Sequence, residues 1–192
     1  MDSSGVISPI VTEKDLDGFH LANMGKLVTG LESVHLFTPR GIMYLFEEYG
    51  IDPEGKEAVI IGRSNIAGKP VVHMLLDSNT TVTVCHSRTK DIGEHTGKAD
   101  ILIAALSRPR FITSDMLKEG AVVFDVGINR LEEGLVGDMD LDNFKDRFSW
   151  IAPVPGGVGP ITIAMLLLNT MEADKGKNKE SLEGRYWPKK SM

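Results

Sequence analysis

Three stretches of the sequence carry residue types and spacings suited to binding chemistry. The first is Gly62-Arg63-Ser64-Asn65-Ile66-Ala67-Gly68-Lys69-Pro70, where the apolar run Ala58–Ile61 ends in a glycine and a second glycine and a proline open a helix. A strand that enters a helix through glycines offers backbone N–H groups and the positive end of the helix dipole to an anion, the arrangement of a phosphate site. The second is His86-Ser87-Arg88, at the end of the next strand-like stretch. In a dinucleotide fold that strand end meets the adenosine ribose, and an NAD-selective site usually has an acid there. This stretch has none. A carboxylate would repel a 2′-phosphate, whereas the Ser87 hydroxyl and the Arg88 guanidinium, with Arg63 reaching from the first turn, would bind it. Each charge-assisted hydrogen bond contributes roughly 1.5–3 kcal/mol, enough to set selectivity. The pattern therefore predicts NADP rather than NAD. The third stretch, Pro153 to Thr162, holds three glycines and three prolines within its first eight residues. Prolines stiffen such a loop and glycines clear side chains from its surface, which suits the wall of a slot for a planar ligand.

Each stretch also has a plainer reading: a βα turn without a ligand, solvated loop residues, and a tight strand-to-helix connection. The first turn is neither GxGxxG nor the GK[ST] of a P-loop, so by itself it is a weak signal. Gly127-Ile128-Asn129 follows another apolar run; a glycine there lets backbone approach a flat ring, and its amides suit a nicotinamide carboxamide. Asp17, in Asp17-Gly18-Phe19-His20, is either an ordinary loop acid or a carboxylate that accepts two hydrogen bonds from an amino-pyrimidinone edge. His20 reads as structural and Cys85 as a buried strand-end residue, and no His/Cys/Asp cluster has metal-ligand spacing. Met165, Leu166 and Leu168 read as core.

The elements that must position these groups alternate. Thr38-Pro39 reads as an N-cap followed by proline at the first helical position, with Ile42, Leu45, Phe46 and Tyr49 at helical spacing and Gly50 as the stop. Strands are expected at 58–61, 81–85, 101–105, 121–126 and 149–152. Short helices are expected at 90–98, 113–118 and 141–148, and a strong one at 160–173. Five strands alternating with helices predict an α/β fold, a Rossmann-like doubly wound, mainly parallel sheet. Ligands in such sheets bind outside the carboxyl ends of the strands, where all the stretches above lie.

Composition sets the outer limits. The 192 residues suit one domain, or one with a small appendage. The net charge of −6 argues against a general nucleic-acid binder. One cysteine excludes an intrachain disulfide and fits a reducing compartment. The longest apolar run, Ile161 to Leu168, is too short to span a bilayer, and the N-terminus lacks a basic region before an apolar core. No membrane association is expected. The cytosol is the default compartment, with an organelle open if a targeting segment was removed.

The motifs DGFH (17–20), TPRG (38–41), GRSNIAGKP (62–70), VGIN (126–129), VGD (136–138) and PVPGGVGPIT (153–162) occur in this order. Together they resemble the bifunctional methylenetetrahydrofolate dehydrogenase/methenyltetrahydrofolate cyclohydrolase family, from about Glu13 to Ala173. The resemblance implies an NADP-binding Rossmann domain, commonly paired in a homodimer, and a cleft for tetrahydrofolate one-carbon derivatives against a second, N-terminal α/β domain. It implies NADP-dependent oxidation of 5,10-methylenetetrahydrofolate and cyclohydrolysis to 10-formyltetrahydrofolate, within the one-carbon metabolism that serves purine biosynthesis. Carried over residue by residue, Asp17 orients the pterin, and Pro155, Gly156, Gly157, Val158 and Thr162 line the folate cleft. Gly62, Arg63, Ser64, Ile66, Ser87 and Arg88 hold the NADP, with Ile128 near the nicotinamide.

Departures from the pattern bear on activity. The family's Y-x-x-x-K motif, whose lysine supports both reactions, and its Q-L-P-L-P loop have no match in this sequence: neither Tyr44 nor Tyr49 has a lysine four residues on, and Lys56 lies in a turn. The expected organisation is a remnant of the N-terminal folate domain and linker (1–34), an NADP-binding domain with its closing helix (35–174) and a flexible tail (175–192). The expected activity is weak. A non-catalytic NADP-binding module or assembly partner is the alternative. Ser107 stands where the family usually has a glycine, so its side chain is expected to crowd the cofactor.

Overall fold

A computed structural model describes residues 9–143 and 147–177. Its centre is a five-stranded sheet of β1 (Glu57–Ile61), β2 (Thr81–Cys85), β3 (Ile101–Ala104), β4 (Ala121–Asp125) and β7 (Phe148–Ala152), in the order β2-β1-β3-β4-β7. All four pairings are parallel, with Val59 opposite both Thr83 and Leu102, Leu102 opposite Val123, and Val123 opposite Ile151. A separate antiparallel hairpin, β5 (Asn129–Leu131) and β6 (Gly134–Val136), follows β4. The helices are α1 (Leu21–Val28), α2 (Phe37–Glu48), α3 (Gly68–Asp77), α4 (Ile92–Thr96) and α5 (Val158–Lys177).

Alternation along the strands builds two cores. Ala58, Ile60, Ile101, Ile103 and Phe124 face α2, α3 and the start of α5. Val59, Ile61, Leu102, Ala104 and Val123 face α4 and the segments carrying Ile112, Leu117 and Met139. Strands covered on both faces read as unbroken apolar runs, which is why these were legible. An aromatic chain anchors α2, Phe46 to Phe124 at 4.7 Å between ring centroids and Phe124 to Trp150 at 5.1 Å. The fork of Arg40 on α2 grips Glu172 of α5 with two 2.7 Å bonds.

Several local expectations change. Helix α2 begins at Phe37, so Thr38 and Pro39 occupy its second and third positions rather than the cap and the first. Proline is tolerated there because the first four N–H groups of a helix have no intrahelical partner. The expected helix at 113–118 is a single 3-10 turn, Ser114–Met116, whose preceding Thr113 makes no side-chain cap bond. Of the expected helix at 141–148, residues 141–143 form a 3-10 turn, 144–146 lie outside the described residues, and Phe148 opens β7. Helix α1 and the β5–β6 hairpin had no counterpart in the sequence reading. Helix α5 runs on to Lys177; the remainder of the expected tail, 178–192, lies outside the described residues, as do residues 1–8. Among the described residues no helix is long and apolar enough to cross a membrane.

Candidate functional site

The chain leaves β1 toward β2 on one side and returns across β1 to build β3 on the other, so the connections diverge at the carboxyl ends of β1 and β3. Doubly wound sheets bind ligands at this divergence. A cleft of about 380 Å³ opens there. Its walls come from the loop after β1 (Ser64, Ile66, Ala67), the loop after β3 (Ala105, Ser107) and the loop after β4 (Val126, Gly127). The far side is closed by Asp17, Phe19, the first residues of α2 (Phe37, Thr38) and Thr162 of α5.

The loops after β1 and β3 touch backbone to backbone. Gly62 has φ +128°, and a Cβ there would lie 2.3 Å from the Ala105 carbonyl oxygen, so both its conformation and its contact require glycine. The helix amides beyond it are not bare, as the sequence suggested. Ser64 Oγ accepts the N–H groups of Ala67 and Gly68 at 3.2 and 3.3 Å. A hydroxyl accepting two bonds still has its own proton to donate, so the turn presents an O–H donor in place of those two amides. Arg63 is exposed beside it.

At the end of β2 the backbone folds into a tight turn. The Thr89 N–H donates to the His86 carbonyl at 2.8 Å, and Thr89 Oγ1 accepts the His86 N–H at 2.9 Å. Ser87 and Arg88 project from this turn, both exposed. The next acid, Asp91, is engaged as the cap of α4 through the Glu94 N–H at 3.1 Å. Two hydroxyls and two guanidiniums thus stand at the ends of β1 and β2 without a free carboxylate in either turn, a donor set that fits a phosphorylated ribose.

Asp17 reaches the N-terminus of α2 from twenty residues upstream. Its Oδ1 accepts the Phe37 N–H at 3.1 Å, supplying the cap that Leu36 has no side chain to provide. Burial is the leading influence on this carboxyl and raises its pKa; the Phe37 bond opposes the rise, and the nearby Asp15 charge adds to it. Asp15 itself shapes the loop, accepting the N–H groups of Phe19 (3.1 Å) and His20 (2.7 Å) and the Asn23 amide (2.8 Å). Opposite, Thr162 Oγ1 donates to the Val158 carbonyl at 2.9 Å. Its proton is thereby spent, so in the 3.1 Å pair between Thr38 and Thr162 hydroxyls Thr38 is the donor.

Two fully buried carboxylates hold the remaining walls. Asp138 accepts the N–H groups of Leu106 (2.6 Å), Ser107 (3.0 Å) and Arg108 (2.7 Å) and the Asn129 amide (3.0 Å). Asp125 accepts those of Gly127 (3.2 Å), Asp138 (3.0 Å) and Met139 (3.0 Å). Burial lifts the Asp125 pKa to about 6, against the pull of these three bonds. A Cβ on Gly127 would fall 2.0 Å from the Asp138 carboxyl carbon, and one on Gly137 1.8 Å from an Asp125 oxygen. The glycine at 127 is therefore required by an internal carboxylate, whatever ring lies beyond it. Ile128 beside it is 61 % exposed.

Of the sequence-derived candidates, Asp17, Ser64, Ile66 and Thr162 meet in the cleft. Gly62, Arg63, Ser87, Arg88 and Ile128 lie outside its lining, the first as the backbone crossing and the others on the surface. Pro155, Gly156 and Gly157 form the turn before α5, with a cis Val154–Pro155 bond and the Gly157 N–H on the Pro153 carbonyl at 2.8 Å. Val158 is buried in the core that backs α2 and α3. Phe19, Phe37, Thr38, Ala67, Ala105 and Val126 also line the cleft and were missed, and Ser107, expected to crowd the cofactor, lines it as well. Thr38 was visible as a helix-start signal and the first letter of a motif, and Asp138 only as the last letter of another. Among the described residues no three His, Cys, Asp or Glu side chains are grouped to hold a metal ion.

Residues 37–178 match the family described as "Tetrahydrofolate dehydrogenase/cyclohydrolase, NAD(P)-binding domain". The chain is 58% identical over 174 residues to the bifunctional protein FolD of Moorella thermoacetica, covering 90% of this chain and 62% of that one. In structure it is similar to the FolD methylenetetrahydrofolate dehydrogenase/cyclohydrolase of Campylobacter jejuni, with a TM-score of 0.89, 51% identity, and coverage of 91% of this chain and 63% of that one. It is also similar to the Trypanosoma brucei FolD, solved with NADP and an inhibitor, at a TM-score of 0.87 and 36% identity, covering 93% and 64%. The chain thus spans less than two thirds of the length of these relatives.

Proposed function

Because this chain belongs to the tetrahydrofolate dehydrogenase/cyclohydrolase family, we propose that it binds NADP at the loops after β1 and β2 and a tetrahydrofolate one-carbon derivative in the cleft beside Asp17. The reaction served is oxidation of 5,10-methylenetetrahydrofolate to 5,10-methenyltetrahydrofolate, followed in complete family members by cyclohydrolysis to 10-formyltetrahydrofolate. The observation that carries this reading is the meeting of Asp17, Thr38, Thr162, Ser107 and Gly127 around one cleft at the divergence of β1 and β3. The nicotinamide of the bound cofactor supplies the hydride acceptor. The chain's own residues supply placement, which is most of what hydride transfer needs. Asp17 accepts N–H groups of the pterin. Gly62, Arg63, Ser64, Ile66, Ser87 and Arg88 hold the dinucleotide, with Ile128 at its nicotinamide end, and Pro155, Gly156 and Gly157 border the folate with Thr162, while Val158, buried in the core, supports that wall from behind. In this reading residues 35–174 are the cofactor-binding domain and 1–34 belong with a folate domain.

Asp17 is the one ionisable side chain among the described residues lining the cleft; no lysine or histidine joins it. Cyclohydrolysis needs acid–base assistance. The isolated chain accordingly has little cyclohydrolase activity and weak dehydrogenase activity. Steady-state assay of both reactions on the purified chain tests this, and turnover close to that of the Campylobacter jejuni enzyme refutes it.

A second reading, a cofactor-binding module that works paired with another chain, is favoured by the outer face of α5. Ile163, Leu167 and Met171 repeat there every four residues and are 63, 62 and 55 % exposed. Homodimerisation in the cytoplasm is the simplest form of this pairing. Tight NADP binding without hydride transfer, together with a concentration-dependent increase in mass, is its signature.

A further inference from the structure

Asn169 lies on α5 and is 3 % exposed. Its Nδ2 donates to the Leu16 carbonyl at 2.7 Å and to the His35 carbonyl at 2.9 Å. Its Oδ1 accepts from Arg40 Nη1, and the same guanidinium is gripped by Glu172. The orientation of this amide follows from chemistry: two carbonyls need donors, and the guanidinium, which has no acceptor, needs an oxygen. Both donors of the side chain and its oxygen are engaged inside the protein.

The carbonyls it binds are not arbitrary. Leu16 immediately precedes Asp17, and His35 lies two residues before Phe37. Asp17 and Phe37 are the two halves of the bond that caps α2 at the cleft. Leu16 and His35 both sit on connecting segments, which by themselves have many conformations to lose. Asn169 staples one segment to the other and both to a 20-residue helix.

We propose that Asn169 is a positioning residue for Asp17: it fixes the carboxylate against the N-terminus of α2, and so sets the acceptor geometry offered to a pterin edge in the cleft. This rests on the reading of Asp17 as the folate contact. It goes beyond that reading by making folate affinity depend on a buried amide that does not line the cleft. Asp17 feels burial, the Phe37 N–H and the Asp15 charge. Loosening the staple removes the N–H, the one influence among these that favours the ionised form.

The test uses the full chain, with Asn169→Ala and Arg40→Lys as variants. The first deletes the amide; the second keeps the charge but loses the fork that steers it. Carboxyl ¹³C NMR titration follows Asp17, and calorimetry measures tetrahydrofolate and NADP binding. In Asn169→Ala the Asp17 pKa is expected to rise, tetrahydrofolate to bind about tenfold more weakly, and NADP to change less than about twofold. Arg40→Lys is expected to move the same quantities in the same direction by less, and serves alone if the alanine variant does not fold. An unchanged Asp17 titration in a folded variant overturns the proposal, as does an equal loss of NADP and tetrahydrofolate affinity. If the unaltered chain binds no tetrahydrofolate, the proposed function fails instead, and the Asp17 titration still decides whether Asn169 positions it.

Discussion

Replacing Asp138 with asparagine changes one atom in a side chain that is fully buried and accepts four hydrogen bonds, two on each carboxylate oxygen. Whichever way the new amide is turned, its NH₂ faces two donors: Leu106 and Ser107 on one side, or Arg108 and Asn129 on the other. Two bonds to a charged acceptor are lost, each contributing roughly 1.5–3 kcal/mol, and the donors left behind have no water to turn to. Removing a buried charge returns part of this. The expected net loss is about 3 kcal/mol or more, a large share of the roughly 5–15 kcal/mol that holds a typical domain folded. Asp125→Asn is the internal control. Turned so that its NH₂ takes the Oδ2 position, it faces the Met139 N–H alone and keeps the Gly127 and Asp138 bonds. It also removes the charge whose burial lifts that pKa to about 6. Its expected cost at pH 8 is therefore below about 1 kcal/mol, because the lost bond and the relieved charge nearly cancel. Urea unfolding of both variants at pH 8, fitted for midpoint and slope, reads the difference. Equal destabilisation by the two substitutions, or a loss below about 1 kcal/mol for Asp138→Asn, refutes the assignment of Asp138 as the organiser of the 106–108 loop.

Other consequences can be measured on the same protein. Between about pH 4 and pH 6 the folded chain keeps the Asp125 proton that the unfolded chain has released, so this group's contribution to stability falls as the pH rises through that window, by up to roughly 3 kcal/mol. Subtracting the Asp125→Asn stability profile from that of the unaltered chain isolates this slope, and a flat difference contradicts it. Ser107 has φ +55°, in the left-handed region that disfavours side chains. Ser107→Gly is expected to leave the melting temperature unchanged or raise it by up to about 1 kcal/mol equivalent, while the β-branched Ser107→Val lowers it. The joint change of Arg63 and Ser87 to alanine should abolish the preference for NADP over NAD; a Kd ratio that survives the double change removes these residues from 2′-phosphate recognition.

The architecture was legible because it is encoded locally. Strands such as Ile101–Ala104 announce themselves as apolar runs since both faces of a parallel sheet are covered. The turn at Gly62 announces itself because a glycine at φ +128° against the Ala105 carbonyl leaves no room for any other residue. The match of residues 37–178 to the family likewise follows from contiguous motifs. What periodicity could not reveal are short elements with few residues to carry a pattern, among them the eight-residue α1 and the three-residue strands of the hairpin.

Partners distant in the chain were decided by the tertiary structure alone. The sequence marks Asp17 as a loop acid near a glycine. That it caps a helix beginning twenty residues later depends on two segments brought together by Asn169, more than 150 residues from Leu16 in the chain. Thr38 looks like a helix cap until the packing of α2 on α5 turns its hydroxyl toward Thr162. Asp138 is only the last letter of a short motif until its carboxylate is seen to hold three consecutive amides of the loop after β3. Local sequence fixes which backbone conformations are cheap, and so which elements form. It carries no record of which buried polar groups will face one another, because that is settled only when the apolar faces have packed and each donor enclosed with them must find an acceptor within reach.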